Sequence, residues 1–164
     1  AYRMTEDFSR FLRFKVDSVS AENGLVPFRE ELRSVFAYAE INRVQLAGRL
    51  IMEYNVFEAD FLIPVLTIQP VVENAIIHGI KPKVGGGTVR LVLSREEGAY
   101  VVTVSDDGVG YTPGSETSEH SVGIQNIRTR MRQHPGCFVS VESKPGRGTT
   151  VTLRYSDSLG REPQ

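Results

Sequence analysis

The chain has a single cysteine, Cys137, in 164 residues. An internal disulfide is therefore impossible, and stability must come from a core, which a chain of this length can build without covalent staples. Cys137 lies in the alternating stretch "GCFVSVES" and reads as a buried strand residue. Charge of one sign is equally scarce: 19 Lys and Arg stand against 20 Asp and Glu. That balance removes any general electrostatic drive toward nucleic acid or an anionic membrane, so an anion must be met locally. No apolar run approaches the roughly 18 residues of a membrane span, and no signal peptide is recognisable. The phosphate-loop pattern G-x-x-x-x-G-K-[ST] does not occur, nor does a Rossmann G-x-G-x-x-G after a first strand. The chain starts at Ala1 directly in a helical pattern, as expected of a piece of something longer.

What is present is periodicity. Met4, Phe8, Phe11, Leu12, Val16 and Val19 form one stripe of a helix made basic by Arg3, Arg10, Arg13 and Lys15. The stripe fits a helix packed on its own domain or half of a helical hairpin. Asn23-Gly24 and Pro27 break it. A second helix follows, with Phe28, Leu32, Val35, Phe36 and Ala39 on its apolar face and charges of mixed sign on a solvated outer face. "RLIMEYNV" (49–56) alternates as a strand. Residues 61–82 are apolar and helical, with Pro64 suited to the helix start and Pro70 expected to kink or restart it. Two strands, 88–96 and 100–106, precede the small, polar loop 111–120. A helix, "VGIQNIRTRMRQ", carries Ile124, Ile127 and Met131 on one face, and a hairpin closes the chain. The expected fold is α+β: two layers, a mixed sheet of about five strands with helices on one face. The tail, residues 156–164, is polar and expected to be disordered.

Two segments bear chemistry. In "ENAIIHG" (73–79), Asn74 and His78 stand four apart at the edge of a buried stripe. Asn offers an oxygen suited to a hard cation such as Mg²⁺, and His a donor to phosphate or a flat ring. A surface Asn beside a half-buried structural His fits the same spacing. In "VSDDGVGYTPG" (104–114), a strand ends in two aspartates and then glycines. Asp-Gly is a common turn signal, but the Asp106 carboxylate can also accept from an exocyclic amine such as that of adenine. Gly108 and Gly110 would let backbone approach a flat ring closely.

Taken in order, "ENAIIHG", "DDGVG", "VGIQNIRTRM" and "GRGTTVTL" resemble the four ATP-binding boxes of the GHKL (Bergerat-fold) superfamily, which includes gyrase-type ATPases and sensor histidine kinases. "LTIQPVVENAIIHGI", with "FSRFLRF" and "VPFREELRSVFAYAEINRVQL" upstream, is similar to the LytS-type sensor histidine kinases. The resemblance implies a truncated dimerisation hairpin over residues 1–22 and a GHKL catalytic domain over 23–155. It implies that Asn74 ligates the Mg²⁺ on the ATP phosphates, that Asp106 binds the adenine amine, and that Gly108 and Gly110 shape the adenine pocket. Residues 111–122 become the ATP lid. Gly123 and Ile124 belong to the second glycine box, with Asn126 and Arg130 as phosphate candidates. Gly146, Gly148 and Thr149 form the last box, Thr150 supports the adenine end, and His78 lines the pocket near the phosphates.

Departures from the pattern sharpen the expectation. Ser121 replaces a glycine of the second box. Ile77 stands where relatives often carry Lys, leaving Lys81 as the substitute phosphate contact. Pro70 occupies the position where the family's ATPases place a water-activating carboxylate, which argues against hydrolysis and for transfer; Glu73 remains as the candidate base. No histidine resembles the family's phosphoacceptor. The implied activity is transfer of the γ-phosphoryl of Mg-ATP to a histidine on the absent hairpin of a homodimer, then to a response regulator, in the cytoplasmic part of a membrane-anchored bacterial receptor. Neither nucleic acid nor membrane is an expected contact of this piece, and the piece alone is expected to bind ATP without phosphorylating itself. The alternatives are a degenerate nucleotide-binding or scaffold module of the same fold and a stand-alone ATP-hydrolysing switch.

Overall fold

The computed structural model describes residues 9, 22–112 and 119–160. The expected hairpin remnant over 1–22 lies outside them apart from Ser9 and Glu22, as do residues 113–118 of the expected lid. In chain order the elements are β1 (Leu25–Pro27), α1 (Phe28–Gln45), β2 (Leu50–Asn55), β3 (Leu62–Pro64), α2 (Gln69–Asn74), a π-helical continuation of α2 (Ala75–Ile80), β4 (Gly87–Glu96), β5 (Ala99–Asp106), α3 (Glu119–Arg132), β6 (Phe138–Lys144) and β7 (Gly148–Ser156). The helix α3 begins inside the stretch expected to be lid.

Alternation builds the main sheet, whose strand order is β2-β4-β5-β7-β6. β2 and β4 run parallel and the other pairs antiparallel, so the sheet is mixed, as expected. Val89, Leu91, Val102, Val104, Val151, Leu153 and Tyr155 are buried against the helices. Full burial of a side chain such as Leu153 contributes about 2 kcal/mol. The residues between them in register, Thr103 and Ser105 on β5, Thr150 and Thr152 on β7 and Ser140 on β6, make the other face polar. One apolar face and one polar face make a two-layer α+β fold with helices on one side only. No helix among the described residues is long and apolar enough to cross a membrane.

Four expectations need correction. The segment 61–82 is not one helix. Leu62–Pro64 is extended and pairs antiparallel with Leu25–Pro27, because the Phe61 ring is stacked between Phe28 at 4.6 Å and Tyr100 at 3.9 Å. The helix starts only at Gln69, with Pro70 in the first turn, where its missing N–H costs nothing. Phe36, expected on the buried face of α1, is 37 % exposed and meets Tyr54 edge-on at 4.7 Å. Of the tail expected to be disordered, residues 156–160 are placed: Asp157 pairs with Arg95 at 2.7 Å and Leu159 packs on the core, while residues 161–164 lie outside the described residues.

The fourth correction is Glu31, which mixed-sign patterning placed on the solvated face of α1. It is wholly buried. Its carboxylate accepts from the backbone N–H groups of Leu66 (3.0 Å), Ile68 (2.7 Å) and Gln69 (2.9 Å). Burial pushes the carboxyl up to about 7, against the pull of those donors.

Candidate functional site

At the carboxyl end of β5 and the amino end of β7, the sheet and α2 diverge around a pocket of about 440 Å³, part of it open to solvent. Val71, Asn74, Ala75, His78 and Gly79 line it from the helix, Val104, Asp106, Thr149 and Val151 from the sheet, Ile124 from α3, and Gly110 and Tyr111 from the loop after β5. The two chemistry-bearing segments of the sequence therefore meet. The period-two alternation that buries Val104 also turns Asp106 inward, and Asp106 stands directly opposite Thr149 on β7.

Asp106 Oδ1 accepts from the Gly108 N–H at 2.8 Å, and the backbone N–H of Thr149, its neighbour across the rung, also favours the ionised carboxylate. Burial pushes this carboxyl up to about 6. The two N–H groups and Lys83 pull it back, and the neighbouring Asp107 charge adds to the rise. Asp107 itself faces away from the pocket: Oδ1 accepts from the Thr88 N–H at 2.8 Å and meets Lys83 Nζ at 3.3 Å, pinning the loop before β4.

Glycines set how closely these parts approach. A Cβ at Gly79 would lie 2.6 Å from Asp106 Oδ1, and one at Gly108 would overlap the Gly79 backbone. Val109 N–H donates to the Gly79 carbonyl at 3.0 Å and closes the crossing. Gly148, at φ 84°, lies against the Asp106 carbonyl, and Gly110, at φ 59°, against that of Lys144; both backbones favour glycine. Gly146 N–H donates to the Val109 carbonyl at 2.7 Å. Ser143, buried in β6, fixes the root of the following loop: its hydroxyl accepts from Tyr111 N–H at 2.9 Å, donates to the Gly148 carbonyl at 3.1 Å and meets Thr149 Oγ1 at 2.9 Å.

Among the described residues, Asn74 carries the one orphaned buried side-chain polar group. Its Nδ2 is buried and has no hydrogen-bond partner among the described residues. Gly123 of α3 packs over it so closely that a Cβ there would stand 3.1 Å away. A buried amide without a partner is costly unless a ligand completes it.

Other expected site residues fall elsewhere. Thr150 lies on the polar face, between Ser105 and Glu142, because it is one residue out of phase with Thr149. Arg130 Nη1 donates to the Leu66 carbonyl at 2.9 Å. Glu73 accepts from Gln69 Nε2 at 2.7 Å and faces Tyr38, whose hydroxyl burial and the Glu73 charge push up to about 12. Lys81 and Asn126 are exposed and do not line the pocket. Reading by sequence missed Gly79 and Ser143 as site residues. Gly79 closes the very box that carries Asn74 and His78, a usable signal; Ser143 sits in an unremarkable alternating strand.

Residues 63–158 match the family described as histidine kinase-, DNA gyrase B-, and HSP90-like ATPase. The chain is 33 % identical to the Bacillus subtilis (strain 168) protein YwpD over 161 residues, covering 93 % of this chain and 58 % of that protein. It is 29 % identical to the sensor histidine kinase YpdA and 27 % identical to the sensor histidine kinase BtsS of Escherichia coli (strain K12), spanning 80 % and 94 % of this chain but 24 % and 27 % of those proteins. Among solved structures, the histidine kinase domain of the Erythrobacter litoralis EL346 blue-light activated histidine kinase superposes with a TM-score of 0.61 at 21 % identity, covering 96 % of this chain and 74 % of that one. The Acinetobacter baumannii histidine kinase AdeS gives 0.64 at 11 %, covering 93 % and 76 %. At these identities the structures speak for the fold alone.

Proposed function

The chain belongs to the histidine kinase-, DNA gyrase B-, and HSP90-like ATPase family, and on that premise we propose that it is the ATP-binding catalytic domain of a LytS-type two-component sensor histidine kinase. The observation that carries this reading is the Asp106 carboxylate in the pocket wall, held by the Gly108 N–H and facing Gly79, with the orphaned Asn74 amide on the same wall as His78. The first suits an exocyclic amine flanked by a flat ring, and the second a polar ligand still to come. Val71, Ala75, Val104, Ile124 and Val151 supply apolar walls for a base. Gly108, Gly110 and Gly148 act through backbone approach. The phosphates extend toward Asn74, His78 and the Gly123 end of α3.

Asn74 fits a hard cation: its Oδ1 is a neutral oxygen donor, and no cluster of three His, Cys, Asp or Glu competes for one among the described residues. Asn74 would hold Mg²⁺ there, and the ion would supply neutralisation of phosphate charge. Glu73 is engaged with Gln69, and Pro70 leaves no carboxylate one turn before Asn74. The pocket thus positions a phosphoryl group without a base to activate water, which suits transfer to a histidine over hydrolysis. The acceptor, on a dimerisation hairpin, and a response regulator are the proposed partners, within the cytoplasmic part of a membrane-anchored receptor.

Calorimetric titration of ATP tests this reading. Binding is expected to tighten with Mg²⁺, and Asn74→Ala to remove that gain while the base still binds. Labelled ATP should leave no acid-labile phosphate on the chain alone. Absence of nucleotide binding would favour the degenerate scaffold, which Ile77 and Ser121 motivate; phosphate release would favour a hydrolytic switch.

Proton linkage gives a second test. Only ionised Asp106 offers its full acceptor capacity, and its carboxyl takes up a proton as pH falls through about 6. Adenosine, which carries no titrating phosphate, should therefore bind about tenfold more weakly at pH 5 than at pH 7.5. Asp106→Asn should show no such slope. A flat profile in the unsubstituted chain counts against Asp106 as the base-reading group.

A further inference from the structure

Glu31 belongs to α1, outside residues 63–158 that match the family, yet its bonds all reach the segment that launches α2. It takes the N–H of Leu66, Ile68 and Gln69. Ser34, one turn further along α1, donates its hydroxyl to Gln69 Oε1 at 2.7 Å. α2 has no side-chain cap of its own, so the acceptor for its first N–H groups comes from another helix. Leu66 is held from both sides. Glu31 takes its N–H, and Arg130 of α3 donates to its carbonyl at 2.9 Å. Leu66 has a positive φ of 55°, a conformation a branched side chain adopts only when its surroundings impose it. Thr67 adds a third tie, to Tyr155 of β7 at 2.9 Å.

The consequence falls on Asn74. It stands five residues after Gln69 along a continuous helix, about 7.5 Å along the axis. Gly123, which roofs Asn74, stands seven residues before Arg130 and so lies on the same face of α3, two turns away. The approach at Gly123 is close, since an added Cβ would stand 3.1 Å from Asn74 Nδ2. The spacing of α2 and α3 is therefore gripped at one end through Leu66 and read out at the other at Asn74. An apolar residue at 31 could fill the space but could not fix three N–H vectors at once, and the burial cost of a carboxylate is hard to explain as stability alone.

We propose that Glu31 is a positioning residue for the metal-binding side of the nucleotide site, holding α2 so that Asn74 meets its ligand in one place; this rests on the ATP reading given above. The test is Glu31→Gln, which keeps the shape but offers one acceptor oxygen and turns an amide N–H₂ toward a donor. ATP is titrated with Mg²⁺ and with chelator, and adenosine separately. The expected result is a Mg²⁺-dependent gain in ATP affinity about tenfold smaller than in the unsubstituted chain, with adenosine affinity changed less than about twofold. An unchanged gain in the folded variant overturns the proposal. So does an equal loss for adenosine and Mg-ATP, which would mark a general structural role. Should Glu31→Gln fail to fold, Ser34→Ala, which removes only the bond to Gln69, carries the same criterion at about threefold. If the unsubstituted chain itself shows no Mg²⁺-dependent gain, the ATP reading fails, and that outcome is seen before any variant is made.

Discussion

Asp106→Asn should lower ATP affinity by about 100-fold or more while leaving the fold intact. The carboxylate is acceptor-only, and it serves the Gly108 N–H group together with the ligand's amine. An amide has one acceptor oxygen. Placed toward Gly108, it sets its N–H₂ against the amine; flipped, it sets donor against donor at Gly108. Either way a buried donor goes unpaired, at about 1–3 kcal/mol, and a charge-assisted bond of about 1.5–3 kcal/mol is lost. Their sum, about 2.5–6 kcal/mol, corresponds to a factor of about 10² to 10⁴. Stability moves the other way. The folded-state carboxyl is raised from 3.8 to about 6 by burial, so stability falls as the pH rises between those two values, the full cost of ionised Asp106 is present above them, and the neutral amide removes it. Calorimetry should show lost binding and thermal melting an unchanged or slightly higher midpoint. Affinity within threefold of the original would end the adenine assignment.

Gly108→Ala should instead cost the fold, by about 3 kcal/mol. The new methyl would overlap the Gly79 carbonyl, backbone against backbone. Neither chain can yield without parting the loop after β5 from α2 and breaking the Val109 to Gly79 bond. Gly79→Ala is the informative contrast. Its methyl meets the end of a side chain, Asp106 Oδ1 at 2.6 Å, which can swing aside. That substitution should cost only about 1 kcal/mol of stability yet displace the base-reading carboxylate and weaken nucleotide binding strongly. Denaturant unfolding beside ATP titration separates the two; equal stability losses would mean that the crossing is more compliant than its contacts suggest.

These contrasts mark where sequence reasoning runs out. Strands β4, β5 and β7 were legible because apolar and polar residues alternate, and the same alternation placed Asp106 and Thr149 inward. Thr150 was misassigned because its role came by resemblance, while its phase in the strand already put it on the far face. The stretch 61–68 looked helical because it is apolar. What bends it is long-range: aromatic stacking on Phe28 and Tyr100 and hydrogen bonds to Glu31, which no local window contains. Glu31 looked solvated because it sits among Arg29, Glu30 and Arg33, all exposed. Arg130 looked like a phosphate ligand because it follows the glycine box, but the face of α3 it occupies points to Leu66.

Asp106 and Thr149 face each other across two adjacent strands, and the chain between them leaves the sheet and returns to the same rung. Both α3 and β6 belong to that excursion. Closing a loop grows more costly only logarithmically with its length, about 0.6 kcal/mol per doubling. Insertions or deletions between residues 112 and 119 would therefore leave the Asp106–Thr149 rung in register. Chain length there can change without disturbing the rung that sets Asp106 against Thr149.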